Sequence, residues 1–328
     1  MRRTICVLAA LPGLFLAAAR AGEAAKPEPA KPTPVFRLPE AITIDGKLDK
    51  PCWSHAAPVR VDYVFGKVAV LSAEPRAVAK YAWDEHYLYI GYETFDRNLV
   101  AIGTGEKQGP PGNRREGCEI SVEGKNVDVV ESFISLGDES FFWEIHHNAA
   151  NQFNDVWCTI LPRDHPVYSS TMSTWGIHFA YQEYLQDEGA YTLGMAVQLK
   201  PNADGKPSTV NDDSDVDTGY TAEIRIPWAA LGAPRERQTW LDADTGKPVN
   251  QNTKKRAPGP WKMEGLVLPI LAVVQDGDLK DRYHHSSPTF KGGWFHMGAA
   301  EWPRYVLTNA AGGGGSAGGE DDVRGPRR

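Results

Sequence analysis

The chain has 328 residues, 41% hydrophobic and 10% aromatic, with a formal charge of −7. That length supports one large domain or two smaller ones. The acid excess argues against nucleic acid as a partner, because phosphate binding needs clustered Lys and Arg.

At the start, Arg2 and Arg3 precede ICVLAALPGLFLAAA, an apolar run of fifteen, and Ala19-Arg20-Ala21 has the small-x-small form of a cleavage site. Residues 1–21 read as a signal peptide cleaved after Ala21, with an apolar part too short to span a bilayer. Cleavage removes Arg2, Arg3 and Arg20 and no acid, so the charge moves from −7 to −10. The expected product is soluble, secreted or periplasmic, and has no membrane span. Residues 22–35 form a Pro/Ala/Lys linker that cannot build a core. The body then runs over 36–309, and 310–328 is a Gly-rich tail expected to be flexible.

Within the body, DKPCWSHA (49–56) reads as a short helix. AVAKYAW and YLYIGYETFD alternate and favour strands, and the short polar DEH between them predicts a β-hairpin. Further strand signals follow in GCEISVEG, VVESFISLG, SFFWEIHHNAANQFNDVWCTIL, YTLGMAVQL, GYTAEIRIPWAAL, GLVLPILAVVQD and PRYVLT. PWAALG (227–232) predicts a second short helix, with Pro227 in its first turn and Gly232 as its stop. Residues 163–191 and 235–262 read as long loops. Many short strands separated by Gly, Pro, Asn and Asp predict an all-β, antiparallel β-sandwich with immunoglobulin-like layering, short helices and long loops. Cys52, Cys118 and Cys158 would remain after cleavage. They permit one disulfide, for which Cys118 and Cys158 are the strand-borne pair, or three small buried apolar residues.

Six segments occur in the order found in carbohydrate-binding module family 9. ITIDGKLDKPCW (42–53) resembles that family's IDGxLDExxW opening, and YAWDEHYLYIGYETFD resembles its LxxDExYLYVxxxVxD hairpin. GCEISVEG is similar to DSVEIFxD, FFWEIHHNAANQFNDV to YYEFEVNPxGTxxD, GYTAEIRIPWAALG to GYTxEIAIPWxxLG, and FHMGAAEWPRYVL to FHxPxxWGxLxL. The resemblance implies a DOMON-like β-sandwich that binds a poly- or oligosaccharide without cutting it. It also implies a role beside glycoside hydrolases in carbohydrate catabolism. The hairpin aromatics Trp83, Tyr87 and Tyr89 are then expected to pack between the sheets.

In that family two tryptophans sandwich the terminal sugar, and a strand glutamate accepts hydroxyl hydrogen bonds. The resemblance places the glutamate at Glu119. It places the first tryptophan position at Asn113 and the second at His296, beside Trp294 and Phe295. Arg114 and Arg115 could substitute by hydrogen-bonding an acidic sugar or an oligosaccharide. On the WEIHHN strand, period two puts Glu144 and His146 on one face and Ile145 and His147 on the other, so Glu144 and His146 join the candidates. Asn148 reads as the turn residue. No cofactor or catalytic metal is implied. Structural calcium occurs in some members, and NDDSDVD (211–217) is rich in oxygen ligands without the spacing of a calcium loop, so it reads as a solvated acidic loop.

Three rival functions carry their own markers. A surface or structural sandwich that has lost sugar binding would account for Asn113 in place of tryptophan. A haem-binding electron-transfer domain would use His146 or the His296-Met297 pair. A hydrolase would need paired carboxylates, and Glu119 and Glu123 lie about 13 Å apart along one strand.

Overall fold

The computed structural model describes residues 31–67, 70–101, 103–108, 115–118, 121–122, 125–135, 141–160, 177–181, 192–231, 262–290 and 301–309. Residues 103–108, 115–118, 121–122, 125–126, 141, 156–160 and 177–181 are described as strand backbone alone.

The first elements in chain order are β1 (Thr33–Phe36), α1 (Pro51–His55), β2 (Val59–Val61), β3 (Tyr63–Val64), β4 (Ala77–Trp83) and β5 (Tyr87–Thr94). Then come β6 (Gly103–Gln108), β7 (Arg115–Cys118), β8 (Ser121–Val122), β9 (Lys125–Asn126), β10 (Val129–Ile134), β11 (Phe141–His147), β12 (Phe153–Ile160) and β13 (Ile177–Tyr181). The last are β14 (Gly194–Leu199), β15 (Tyr220–Pro227), α2 (Trp228–Leu231), β16 (Val267–Gln275), β17 (Tyr283–His285) and β18 (Arg304–Thr308). Strands and two short helices occupy the expected segments, with three differences. GCEISVEG is described only at the end of β7 and at β8, which pair in different sheets. Pro227, expected in the first helical turn, is the last residue of β15. Residues 33–35, expected in the linker, belong to β1, which pairs with β18 and puts Val35 in the core. β13 adds a strand inside 163–191, which the sequence read as loop. Among the described residues no helix is long and apolar enough to cross a membrane.

Two sheets carry the fold. The larger runs β1-β18-β16-β10-β11-β12-β7-β6, with β13 on β12 and with β17 joining β16 to β3. The smaller runs β14-β15-β5-β4-β2. Pairing is antiparallel except at β1–β18 and β12–β7. Residues 32–328 form one compact unit.

The main core lies between the sheets. Leu88, Ile90 and Tyr92 of β5 meet Val130 and Ile134 of β10, Trp143 and Ile145 of β11, and Ile270, Ala272 and Val274 of β16. Buried polar groups on these residues find partners across the core, as low-dielectric burial demands. The Tyr92 hydroxyl donates to the Glu131 carbonyl at 2.9 Å and lies 2.6 Å from the Ser132 hydroxyl. The Trp143 indole donates to the Leu231 carbonyl at 3.2 Å.

The hairpin corrects one expectation. Trp83 packs in the inter-sheet core, but Tyr87 and Tyr89 do not. They lie on the other face of the smaller sheet with Leu38, Trp53 and Ala56, under α1 and the segment leading into it. Both faces of β5 are therefore buried, which is why the run lacks a polar face. The Asp84 carboxylate holds the turn, accepting from the His86 and Tyr87 N–H groups at 2.7 and 2.8 Å and from the Tyr89 hydroxyl at 2.6 Å.

Glu223 of β15 anchors the cover. Its carboxylate is fully buried and accepts from the Asp45 and Gly46 N–H groups, the Trp53 indole at 2.7 Å and the Lys50 ammonium at 2.8 Å. The IDGKLDKPCW segment is thus a cap whose donors converge on one acid of the later strand.

Candidate functional site

The outer face of the larger sheet is set by strand alternation. Val130 and Ile134 of β10, and Trp143 and Ile145 of β11, point into the core. Glu131, Phe133, Phe142, Glu144 and His146 consequently share the opposite face. Glu131 is paired with His146, and Phe133 with Glu144, so the two acids are diagonal neighbours. Ligand atoms of Glu131, Glu144 and His146 all lie within 4.8 Å of one another. The His146 Nε2 is 2.9 Å from Glu144 Oε1. All three are buried, at 4%, 7% and 6% exposure.

Beside this polar group runs an aromatic band on the same face. Phe133, Phe142, Leu271, Val273, Phe290 and Trp302 form one cluster, with Phe65 and Tyr283 half-buried at its edge. Trp302 packs against Phe133 and Phe142 with ring centroids 5.7 and 5.1 Å apart. Tyr283 comes from β17, where it is paired with Gln275. Burial raises its phenol above the ordinary value, and the Glu131 charge, then more weakly that of Glu144, adds to the rise. The Arg282 guanidinium lies 5.1 Å over the Tyr283 ring and works against that rise.

Of the expected site residues, Glu144 and His146 stand together as the period-two reading required, with Ile145 on the core face and His147 buried. Asn148 is the turn residue, accepting from the Ala150 and Gln152 N–H groups. Arg115 begins β7, which pairs with β12 next to β11, so its backbone lies on the same sheet. Glu119, Asn113, Arg114, Trp294 and His296 lie outside the described residues. Sequence reading missed Glu131. Its signal is the DSVEIF pattern itself: DVVESF (128–133) keeps that pattern's Asp, Val, Glu and Phe, whereas the segment around Glu119 keeps only Glu and Ile.

A second group converges where the ends of β5, β10 and β16 meet. Carboxylate oxygens of Asp96, Asp128 and Asp276 lie within 4.8 Å of one another. Asp128 accepts from the Val100 and Gly277 N–H groups at 2.6 Å, Asp96 from Asn98 and Asp276 from Asp278. The Arg76 guanidinium is 3.5 Å from Asp276. Burial and mutual repulsion push Asp96 up to about 7 and Asp128 up to about 8, and burial raises Asp276. These are the hard oxygen donors a calcium ion takes, and the residues are too far apart in sequence to signal one another.

The acidic loop 211–217 engages Asp212, Asp215 and Asp217 in hydrogen bonds within the loop and to the body. Asp217 accepts from Leu99 and Thr209, Asp215 from Thr209 and Asn202, and Asp212 from Ser214. Asp217 is buried by these contacts, so the loop is stapled to the body rather than solvated throughout. Cys52 is half-buried and free. On the back of the molecule a cavity of about 410 Å³, lined by Phe36, Leu38, Ile42, Cys52 and Ala56 among others, is separate from the polar group.

The family model described as carbohydrate family 9 binding domain-like matches residues 44–212. The chain belongs to that family. The family 9 match covers the cap, the hairpin and the strands that bear Glu131, Glu144 and His146. Among curated proteins none matches the chain. A putative carbohydrate-binding protein from Bacteroides uniformis shares the fold at a TM-score of 0.51 and 13% identity, over 84% of this chain and 99% of that one. A family 9 carbohydrate-binding module from Caldicellulosiruptor kristjanssonii in complex with cellotriose aligns at TM-score 0.43 and 13% identity, over 90% and 99% of the two chains. The same organism's family 9 module with glucose aligns at 0.43 and 15%, over 86% and 98%.

Proposed function

We propose that this family 9 module binds the end or body of a poly- or oligosaccharide, without cutting it, on the outer face of the larger sheet. The observation that carries this reading is the convergence of Glu131, Glu144 and His146 from two adjacent strands. Sugar hydroxyls are donors in need of strong acceptors, and carboxylates are the strongest acceptors available to a protein. Of the two glutamates that fit the family's strand pattern, Glu131 takes the hydroxyl-accepting role first. Glu119, Asn113, Arg115, Trp294 and His296 are assigned to the rest of the wall. The protein acts outside the cytoplasm, secreted or periplasmic after cleavage at Ala21, beside glycan-degrading enzymes. It needs no cofactor, and any calcium would be structural.

Calorimetry of the mature protein against cellotriose, xylotriose, mannotriose, chitotriose and galactotriose tests the reading. At least one should bind, and Glu131→Gln should weaken that binding by about tenfold or more, as removing a charged hydrogen-bond partner does. Glu119→Gln in the same assay separates the two glutamates. Binding to none of the sugars would sink the proposal.

A second reading has one observation in its favour. Two carboxylates as close as Glu131 and Glu144 approach the short spacing of retaining glycosidases. Release of reducing ends from the bound oligosaccharide on overnight incubation, lost in Glu131→Gln, would replace the binding function with hydrolysis.

A further inference from the structure

Glu131, Glu144 and His146 combine two oxygen donors with one nitrogen donor, and strand geometry fixes where all three start. Glu144 and His146 are two residues apart on β11, so their side chains leave the same face about 7 Å apart. Glu131 stands directly across from His146 on β10, where opposed Cβ atoms are about 5 Å apart. The side chains then lean together. His146 Nε2 is 2.9 Å from Glu144 Oε1, and the three ligand atoms lie within 4.8 Å of one another. Both strands are interior to the sheet, β10 between β16 and β11, and β11 between β10 and β12. Pairing on both sides holds the backbone under the cluster in place.

The surroundings are apolar. Glu131 also pairs with Val273, and Glu144 with Phe133, and both of these neighbours belong to the aromatic band. The three side chains are themselves buried. Low polarity around two carboxylates strengthens their attraction for a cation. The imidazole decides which cation. Calcium and magnesium take oxygen ligands, whereas zinc takes His nitrogen and Glu oxygen together, at about 2.0–2.2 Å. Ligand atoms on one tetrahedral zinc therefore stand about 3.3 Å apart. The His146–Glu144 pair is close to that spacing already, and Glu131 reaches it by a side-chain movement of about 1.5 Å at most. The three residues make further contacts as well. Metal-bound carboxylates and imidazoles ordinarily keep such outer partners on their remaining atoms.

We propose that Glu131, Glu144 and His146 form a zinc site, with one carboxylate oxygen from each glutamate and His146 Nε2 as ligands and a fourth position open to water, and that zinc excludes the sugar. The metal site stands on the cluster alone, and the exclusion rests on the binding function proposed above. Zinc takes the Nε2 lone pair, and the proton of the neutral imidazole passes to Nδ1 as the other tautomer. With the cation bound, the carboxylate lone pairs that would accept sugar hydroxyls point at the metal. Zinc is then an inhibitor of sugar binding and not its cofactor.

The test titrates zinc chloride into the mature full chain after chelator treatment and dialysis. Calorimetry should show a site with a Kd of about 1 μM or tighter, and calcium should bind there about a hundredfold more weakly. His146→Gln removes the nitrogen donor and should lose about tenfold or more in zinc affinity. Asp128→Asn should stay within about threefold of wild type, which separates this site from the Asp96, Asp128 and Asp276 group. Cobalt in place of zinc gives a readout on wild type that no folding defect can affect. Its visible absorption bands should appear with the strength of a four- or five-coordinate site and disappear on addition of zinc. For the tightest binder among cellotriose, xylotriose, mannotriose, chitotriose and galactotriose, affinity should fall about tenfold or more in saturating zinc and return when the zinc is chelated.

Absence of both zinc binding and cobalt bands in wild type would overturn the metal site. So would equal zinc affinity in His146→Gln and wild type, or calcium binding as tight as zinc. Sugar affinity that is unchanged by zinc, or that requires it, would overturn the exclusion. If wild type binds zinc but none of the trimers, the metal site stands and the sugar-binding function falls. If the trimers bind and zinc does not, the sugar-binding function stands and the metal site falls.

Discussion

Glu223 shows how much one side chain can organise. Its carboxylate is fully buried and is matched by the Lys50 ammonium, the Trp53 indole and two backbone N–H groups of the cap. Replacing a buried, fully paired ion by a small apolar side chain leaves the partner charge without compensation, which costs about 3–5 kcal/mol. Glu223→Ala should therefore lower the urea-unfolding free energy by about that much, and Glu223→Gln by less, since the amide oxygen still accepts from Trp53. A loss below about 0.5 kcal/mol in Glu223→Ala would mean that the cap is not anchored there. The sequence showed both halves of this contact as separate motifs, but nothing local links Trp53 to an acid 170 residues later. Glu131 was hidden for a different reason. Two segments, around Glu119 and around Glu131, match the same family pattern, and only strand pairing shows that Glu131 stands opposite His146.

At the scale of elements, strand positions were readable because alternation and turn residues are local properties. Asn148 and the DEH turn both sit where composition put them. Sheet order was not readable. β16 lies between β18 and β10, and β15 between β14 and β5, and these neighbours are selected by core packing across long sequence separations. The burial of Tyr87 and Tyr89 away from the inter-sheet core follows from the same limit. Period two says that a face is apolar, not what covers it. The connection into β15 offers a test of how tightly the elements meet. Gly219 has a φ of +109°, and a Cβ there would come within 2.2 Å of the Thr94 carbonyl oxygen, at the end of β5. Gly205 also has a positive φ, of +75°, but a Cβ there would meet nothing within 4 Å. Gly205→Ala should cost about 1 kcal/mol of backbone strain alone. Gly219→Ala adds a backbone clash and should cost clearly more, read as a lower thermal midpoint. Equal midpoints for the two variants would show that the β5–β15 contact yields freely.

For the whole molecule, buried titratable groups set an alkaline limit on stability. His147, His284 and His285 are each lowered to about 4, chiefly by burial. Their folded values lie below the unfolded ones, so from about pH 6.5 down to 4 the unfolded state holds the extra protons and stability falls as pH falls. Asp96 and Asp128 work the other way. Raised to about 7 and 8, they are still protonated in the folded chain where the unfolded chain has already ionised, so their stability contribution is lost as pH rises from about 4 to 8. Asp276 is raised as well and acts in the same sense. Between pH 4 and 6.5 the imidazoles and carboxyls oppose one another. Above pH 6.5 the imidazoles are neutral in both states, and only the carboxyls remain. The unfolding free energy, measured in urea with EDTA present, should therefore decline between pH 6.5 and 8. Each ionising carboxyl contributes a slope of about 1.4 kcal/mol per pH unit at most. Asp128→Asn removes one ionisation and relieves the repulsion on Asp96, so it should flatten that decline whatever it does to stability at pH 5. A wild-type profile that stays level or rises from pH 6.5 to 8.5 would show that the three carboxylates are already compensated. Repeating the profile in millimolar calcium rather than EDTA identifies one source of such compensation: a decline seen in EDTA and absent in calcium places the cation's charge among Asp96, Asp128 and Asp276.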